Sequence, residues 1–165
     1  MATATLVSVS EYLETSYRPD CEYVDGELLE RNVGELDHSR LQGLLYGYFL
    51  VREKLWNITA LPEQRIQVRP TRFRVPDISV VAGGLPTTQI LTAPPFICIE
   101  ILSPSDSVYQ MQDRIDDYLA FGVPYVWVLN PRTRKAFIYT ADGMHEAKDG
   151  ILRASHIEVP LAELA

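Results

Sequence analysis

A single carboxylate interrupts an otherwise apolar run. Residues 96–102 read FICIEIL, in which Glu100 is the only charged side chain. Such a run is typical of a central strand covered on both faces, and alternation places Glu100 on the face that carries Cys98. An ionised carboxylate there costs several kcal/mol unless a partner compensates it. The sequence therefore predicts a buried ion pair with an arginine, a strand end close to solvent, or a bound metal ion.

A second acid begins another apolar run upstream. Residues 73–81 read FRVPDISVV, and Asp77 stands between Pro76, which favours extended backbone, and the segment ISVV. If this segment pairs with the run around Glu100, the two acids converge at one end of the sheet. Two close carboxylates repel each other, and a divalent cation removes that repulsion. Because ligation by oxygen alone suits Mg²⁺ or Mn²⁺, the pair predicts a site for one of these ions.

A helix is predicted over residues 107–121, directly after these strands. Arg114 and Tyr118 are i,i+4 neighbours in it and share one face. Two interpretations of Arg114 stay open: a cation directed at the acidic site, or a surface salt bridge with Asp113 or Asp117, which contributes little. The inward stripe of this helix is predicted to consist of Val108, Met111, Ile115 and Leu119.

The order of the predicted elements indicates the fold class. A short helix over residues 8–14 precedes a β-hairpin at Asp25-Gly26, a dipeptide that type I′ turns favour. A helix over residues 36–52, with Asp37 as a candidate N-cap, is followed by extended runs and by the second long helix. Further strands complete the chain. The pattern predicts an α/β or α+β domain with a central mixed sheet flanked by helices and with an N-terminal hairpin.

Composition limits the class of protein. The chain has 165 residues, 47% of them hydrophobic and 22% charged, which suits one folded domain over residues 1–165 and excludes a disordered chain. Its formal net charge of −7 argues against binding DNA by bulk electrostatics. That charge still allows an enzyme in which a local basic groove and a metal ion contact phosphate. No apolar run reaches the ~18 residues of a membrane span.

The N-terminal sequence and the cysteines predict a cytoplasmic protein. Residues 1–14 lack a basic region before their short apolar stretch, so we expect no signal peptide. Cys21 and Cys98 do not have a metal-type spacing. Without a secretion signal they are expected to be reduced thiols.

Several segments together resemble a known family. VPDISVV, IEILSPSD and DRIDDYLAFGVPYVWVLNP occur in order and with fitting spacing, after EYVDGELLER and a histidine, His38, at a helix start. These segments are similar to the Uma-two family of restriction endonuclease-like proteins, which belongs to the PD-(D/E)XK nuclease superfamily. The resemblance extends over nearly the whole chain, and the tail EVPLAEL matches the usual ending of the family.

The resemblance implies a restriction-endonuclease-like core and Mg²⁺-assisted phosphodiester hydrolysis, with Asp77 and Glu100 as metal ligands. The superfamily pattern has a lysine two residues after the glutamate, where this chain has Leu102. In the family the lysine is expected on the following helix, four residues before the tyrosine, and that position is Arg114 here. An arginine stays protonated, so it can bind a phosphate but cannot act as a base. We therefore expect activity to be weakened, lost, or carried by another group or by metal-generated hydroxide.

Three further residues are predicted to support the site. Glu22 matches an acid of the family's N-terminal segment and could add a third acid or orient Arg114, with a solvated hairpin carboxylate as the open alternative. His38 could contact the site or a phosphate, or could form a local hydrogen bond at the helix start. Tyr118 is expected to support the site from the helix that carries Arg114.

A basic run enters the strand of Asp77. It could guide a nucleic-acid backbone, although solubility of an edge strand explains such a run equally well. Its members are Arg65, Arg69, Arg72 and Arg74.

Two functions from different classes follow as predictions. The first is a cytoplasmic, Mg²⁺- or Mn²⁺-dependent endonuclease that cuts nucleic acid, with DNA as the expected substrate and a homodimer as the expected assembly. The second is a nuclease-fold protein without catalysis, which binds nucleic acid or protein and uses Arg114 to neutralise Glu100. A two-carboxylate glycosidase agrees with the number of acids, but the sequence lacks an aromatic-rich sugar platform.

Overall fold

A six-stranded mixed sheet forms the centre of the fold. The computed structural model describes residues 5–165; residues 1–4, part of the segment that predicts no signal peptide, lie outside the described residues. The helices are α1 (Val9–Glu14), α2 (Leu36–Leu50), α3 (Glu53–Trp56) and α4 (Val108–Phe121). The strands are β1 (Cys21–Val24), β2 (Glu27–Glu30), β3 (Ile58–Pro62), β4 (Ile66–Arg69), β5 (Arg72–Arg74), β6 (Ile78–Ala82), β7 (Ile97–Ile101), β8 (Tyr125–Leu129), β9 (Ala136–Thr140), β10 (Gly143–Glu146), β11 (Ile151–Ala154) and β12 (Ile157–Pro160).

The strands form three sheets. The central sheet has the order β10-β9-β8-β7-β6-β3, in which β7 and β8 are parallel and the other pairs are antiparallel. A four-stranded antiparallel sheet, β2-β1-β5-β4, and the hairpin β11-β12 complete the fold. Asp25 and Gly26 have positive φ values of 50° and 98°, as the predicted turn between β1 and β2 requires. The predicted mixed sheet with an N-terminal hairpin is therefore confirmed.

The segment around Asp77 differs from the single extended run that the sequence predicts. β5 ends before Val75 and β6 begins after Asp77, so the chain passes here from the four-stranded sheet to the central sheet. Pro76, between them, has no N–H to donate to a strand ladder, so pairing is interrupted at this point. The crossing places Asp77 at the junction of the two sheets.

Helices cover both faces of the central sheet. On one face, Leu45 and Phe49 of α2 pack in a cluster that includes Trp127 and side chains of the β11-β12 hairpin. On the other face, α4 and β4 pack against Cys98. β7 contributes its three isoleucines to the first cluster and Cys98 to the second, so the predicted alternation holds. Glu100 consequently lies on the face that α4 covers.

The ends of the long helices agree with prediction in part. Ser107 caps α4 through its hydroxyl, and Gly122, with φ 107°, ends it. Val108, however, is 89% exposed, because the first turn of α4 borders an open groove instead of the sheet. Asp37 is not the N-cap of α2: Glu35 holds that position without a side-chain hydrogen bond, and Asp37 lies inside the first turn.

None of the helices in residues 5–165 combines the length and the apolar character that crossing a membrane requires.

Candidate active site

Asp77 lies directly before β6 and beside the end of the neighbouring strand β7. β6 and β7 pair antiparallel, and the last register pair before Asp77 is Ile78 opposite Ile99, the residue before Glu100. The backbone N–H of Ile101 donates to Oδ2 of Asp77, so Asp77 and Glu100 come together where β6 begins and β7 ends. The two residues are 3% and 5% exposed, respectively. The strands thus bring both acids, buried, to one end of the sheet.

Three donors surround the Asp77 carboxylate. Arg31 donates from Nη2 to Oδ1 at 3.0 Å, the backbone N–H of Ile101 donates to Oδ2 at 2.7 Å, and Nε2 of His38 lies 3.2 Å from Oδ2. The hydrogen bond with Asp77 raises the pKa of His38, because a carboxylate favours the protonated imidazole. Gln42, one turn later on α2, donates to the backbone carbonyl of Asp77 at 3.1 Å. The beginning of α2 therefore fixes both the side chain and the backbone of Asp77.

The Glu100 carboxylate has a more apolar environment. Tyr118 of α4, itself buried, donates from its hydroxyl to Oε1 of Glu100 at 2.6 Å. Burial and, after it, the charge of Asp77 raise the pKa of Glu100 to about 8. This environment therefore favours the protonated form of Glu100, and an additional positive charge would favour its ionised form.

Arg114 links α4 to β1 through Glu22. Its Nε donates to Oε1 of Glu22 at 2.7 Å, and its Nη1 lies 3.5 Å from Oδ1 of Asp106. Glu22 is 1% exposed and also accepts from the N–H of Val75, so it is not a solvated hairpin carboxylate. The interpretation of Arg114 as a surface salt bridge is wrong. Among the described residues its ion-pair partners are Glu22 and Asp106, and it forms no direct pair with Glu100.

Two arginines of the basic run are engaged in ion pairs with α4. Arg74 is 1% exposed and donates from Nε to Asp117 at 2.7 Å and from Nη2 to Asp113 at 2.6 Å. Its Nη1 lies 3.6 Å from Glu22, and Arg72 donates to Asp117 at 2.9 Å. These contacts attach α4 to β5. Neither of the roles predicted for the basic run, guiding a nucleic-acid backbone or solubilising an edge, therefore applies to these two residues.

The site includes residues that the sequence does not predict, among them Arg31, Asn32, Gln42 and Asp106. Arg31 and Asn32 follow an ordinary hairpin strand and carry no recognisable signal. Asn32 donates to Oδ1 of Asp106 at 2.9 Å and accepts from the Ser105 hydroxyl at 2.7 Å, which joins the loop after β2 to the loop after β7. Asp106 also accepts through Oδ2 from the N–H of Ser103 at 2.7 Å, which closes the turn after β7.

One polar cavity of about 90 Å³ brings most of these groups together. Its charged lining residues are Glu22, Arg31, His38, Glu63, Asp77, Glu100, Asp106 and Arg114. Five of the six predicted site residues are in this set, and the sixth, Tyr118, reaches it through its bond to Glu100. The cavity is thus the place where the predicted residues converge.

The donor set fits a hard divalent cation in part. Asp77 and Glu100 offer carboxylate oxygens, which suit Mg²⁺ or Mn²⁺, and the charge of Asp77 already opposes ionisation of Glu100. Across residues 5–165, no group of three or more Asp, Glu, His or Cys side chains has the arrangement of a metal site. A cation here would therefore rely on these two acids together with water or phosphate oxygens.

The architecture is that of a nuclease-like fold. A crystal structure of "a putative nuclease belonging to DUF820 from Anabaena variabilis ATCC 29413" matches with a TM-score of 0.82, covering 96% of this chain and 97% of that chain at 23% identity. The chain belongs to the Uma2 family, described as "Putative restriction endonuclease", whose sequence model matches residues 9–160. No curated protein has a significant match to the sequence. The family resemblance and the predicted fold class are both confirmed.

Proposed function

We propose that the protein is an endonuclease that uses Mg²⁺ or Mn²⁺ to hydrolyse phosphodiester bonds of DNA. The observation that carries this proposal is the placement of Asp77 and Glu100 beside each other at the same end of the sheet, both buried and both lining one polar cavity. The charge of Asp77 opposes the ionisation of Glu100, and a hard cation removes that cost. Membership of a family described as restriction endonucleases supports the same reaction.

In this proposal Asp77 and Glu100 hold the cation, and the surrounding residues fix their carboxylates. A divalent cation supplies polarisation of the phosphate and a lowered pKa for water. Tyr118 orients Glu100 through its hydroxyl, while His38 and the N–H of Ile101 orient Asp77. Because these donors come from two helices and a strand, the acids are held before substrate binds.

Arg31 and Arg114 bind and orient the phosphate. Their side chains are 14% and 11% exposed and line the same cavity. Burial alone lowers the pKa of Arg114, but the charges of Glu100 and Glu22 raise it above its ordinary value overall. A guanidinium offers paired donors to phosphate oxygens and does not release its proton. Neither arginine therefore acts as a general base.

One observation favours a second candidate, a nuclease-fold module without catalysis. When Glu100 is protonated, three buried acids of the cavity face two arginines and His38. If His38 is also protonated, these buried charges sum to zero without a cation, and the exposed carboxylate of Glu63 adds the one further charge of the lining. A cavity balanced in this way is compatible with a purely structural ion-pair network.

A plasmid-nicking assay distinguishes the two functions. Supercoiled DNA is incubated with wild type, Asp77→Asn and Glu100→Gln in Mg²⁺ and in Mn²⁺, with Asp116→Asn, an exposed acid of α4, as the matched control. We expect wild type and Asp116→Asn to nick equally. Asp77→Asn and Glu100→Gln are expected to nick at least about tenfold more slowly, because each lacks one carboxylate of the proposed cation site. Wild type that binds plasmid but never nicks it supports the non-catalytic module.

We also propose that residues 1–165 act as one domain, as a homodimer, in the cytoplasm. Leu50, Val51 and Leu55, at the end of α2 and in α3, are 46%, 77% and 77% exposed and support an apolar contact between two copies. Cys21 and Cys98 are both free, which supports a reducing compartment. Sedimentation velocity tests the assembly: wild type is expected to sediment as a dimer and Leu55→Asp as a monomer. Wild type that stays monomeric at high concentration contradicts it.

A further inference from the structure

A second and larger cavity, the apolar groove, opens next to the polar cavity. It has a volume of about 460 Å³ and lies between the first turns of α4 and the strands β8 and β9. Met111 and Ile115 of α4 form one wall, and Val128, Phe137 and Tyr139 belong to the strands. The volume falls within the range of small-molecule pockets, about 300–1,000 Å³. The groove is therefore large enough for one organic group of moderate size.

The apolar groove is continuous with the candidate active site. His38 and Asp106 line both cavities, so the two share a boundary. His38 is also the residue that contacts Asp77. A ligand whose phosphate lies beside Asp77 and Arg114 consequently has its neighbouring group at the mouth of the groove.

The lining of the groove combines aromatic surface with free amide atoms. Phe137 and Tyr139 stand at alternate positions of β9 and are half-buried, so parts of both rings are accessible. Asn130 accepts through Oδ1 from the N–H of Arg132, and this leaves its Nδ2 as a donor. Gln112 donates through Nε2 to an acid on its own helix, and this leaves its Oε1 as an acceptor. The groove thus offers flat apolar surface together with these amide groups, beside the charged side chains of Asp37, Asp106 and Arg132 that also line it.

We propose that the apolar groove binds an unpaired nucleobase of the substrate strand, adjacent to the phosphate at Asp77 and Glu100. The position of that strand rests on the proposed function. A nucleobase has two flat apolar faces and an edge of donors and acceptors, which is the chemistry that the groove complements. A base stacked in a duplex presents only its edge, so the occupant must lie outside the stack. The substrate class is therefore DNA with single-stranded, mismatched or extruded bases.

Methyl NMR tests the groove without a metal or a reaction. Met111 lines the groove, whereas Met144 on β10 lies outside it and is 53% exposed, so the two methyl signals form a probe and an internal reference. Wild type, with ¹³C-labelled methionine methyl groups, is titrated with deoxyadenosine in EDTA. We expect a saturable shift of the Met111 signal at millimolar nucleoside and no shift of Met144. Deoxyribose alone is expected to shift neither signal.

A matched pair of variants identifies the stacking surface. Phe137→Ala is expected to weaken deoxyadenosine binding about fivefold or more, the usual loss when a stacking ring is removed. Phe121→Ala removes a half-buried ring from the same side of the sheet but outside the groove, and is expected to leave binding unchanged. Equal weakening in both variants, or a Met111 signal that moves no more than Met144, overturns the proposal. A Met111 shift that depends on protein concentration alone overturns it in favour of a second copy in the groove.

The same variants separate this inference from the proposed function. If the groove binds a base, Phe137→Ala lowers the preference of the protein for a mismatched over a perfect duplex, whether or not the DNA is cut. If nicking is absent while nucleoside binding persists, the endonuclease proposal fails and the base site stands. If nicking occurs but Phe137→Ala leaves the mismatch preference unchanged, the base site fails and the endonuclease stands.

Discussion

Arg114 donates a hydrogen bond from Nε to Oε1 of Glu22 at 2.7 Å, and this contact joins α4 to β1 across 92 residues of sequence. Because Glu22 also accepts from the N–H of Val75, the carboxylate is fixed and the guanidinium takes one orientation. The position where the family resemblance expects a lysine is therefore held by a buried ion pair. Such a pair need not stabilise the fold, but loss of one partner leaves a buried charge uncompensated.

The ion pair predicts a large difference between two arginine truncations. Arg114→Ala is expected to lower the free energy of unfolding by about 3–5 kcal/mol, because it leaves the buried Glu22 with only the longer contact of 3.6 Å to Arg74. Arg132→Ala removes an exposed ion pair with Asp37 and is expected to change the free energy of unfolding by less than about 1 kcal/mol. Urea unfolding followed by circular dichroism measures both values. Similar small losses in the two variants would show that Arg114 is not a structural partner of Glu22.

The proposed mechanism predicts that Arg114→Lys raises cleavage. A lysine ammonium can still pair with Glu22, and its pKa can shift in a buried site so that it assists a proton transfer that arginine cannot. The variant is expected to fold like wild type and to nick plasmid DNA faster in Mg²⁺, with Asp77→Ala as the blank. If wild type and Arg114→Lys both stay at the blank level in Mg²⁺ and Mn²⁺, the endonuclease proposal is contradicted and the nuclease-fold module without catalysis is favoured.

The raised pKa of Glu100 predicts a stability that falls with increasing pH in EDTA. The unfolded side chain ionises near its ordinary pKa of 4.5, whereas the folded one keeps its proton until about pH 8. Between these values the folded state binds more protons, so rising pH destabilises it by up to about 1.4 kcal/mol per unit. Relative to wild type, Glu100→Gln should therefore become more stable from pH 5 to pH 8. Parallel profiles of the two proteins, measured by urea unfolding, would contradict a buried Glu100 with a raised pKa.

Removal of the Tyr118 hydroxyl is predicted to weaken cation binding. The hydrogen bond from Tyr118 favours ionised Glu100, so Tyr118→Phe should raise the pKa of Glu100 further and lower its affinity for Mn²⁺ several-fold. Tyr109→Phe changes an exposed tyrosine of the same helix and serves as the control. Equal Mn²⁺ affinities for the two variants would exclude a role for Tyr118 at the site.

Local patterns were sufficient to predict the positions of the acids. The alternation of FICIEIL assigns Glu100 to the face of Cys98, and the proline before Asp77 marks the start of the neighbouring strand. Both features depend on neighbours within a few residues, so they can be recognised in a single sequence. Even here the passage of the chain from one sheet to the next, at Val75, was not predicted, because it depends on the pairing of β1 with β5.

The partners of the arginines could not be predicted, because they are distant in sequence. Arginine is a residue type usually found at the surface. Arg74 is nevertheless buried, because Asp113 and Asp117 stand one turn apart on the helix packed against it and accept its hydrogen bonds. Arg31 follows an ordinary hairpin, and only the approach of β2 to the beginning of β6 reveals its contact with Asp77. Val108 fits the helical stripe, yet α4 extends beyond the sheet at that turn.

Calorimetric titration with Mn²⁺ tests directly whether Asp77 and Glu100 form a cation site. Wild type and Asp116→Ala, which changes an exposed acid of α4, are predicted to bind one Mn²⁺ per chain, and Asp77→Ala is predicted to bind none at the same site. The titration needs neither DNA nor turnover. Absence of binding to wild type, or equal binding to wild type and Asp77→Ala, would show that Asp77 and Glu100 do not form a cation site.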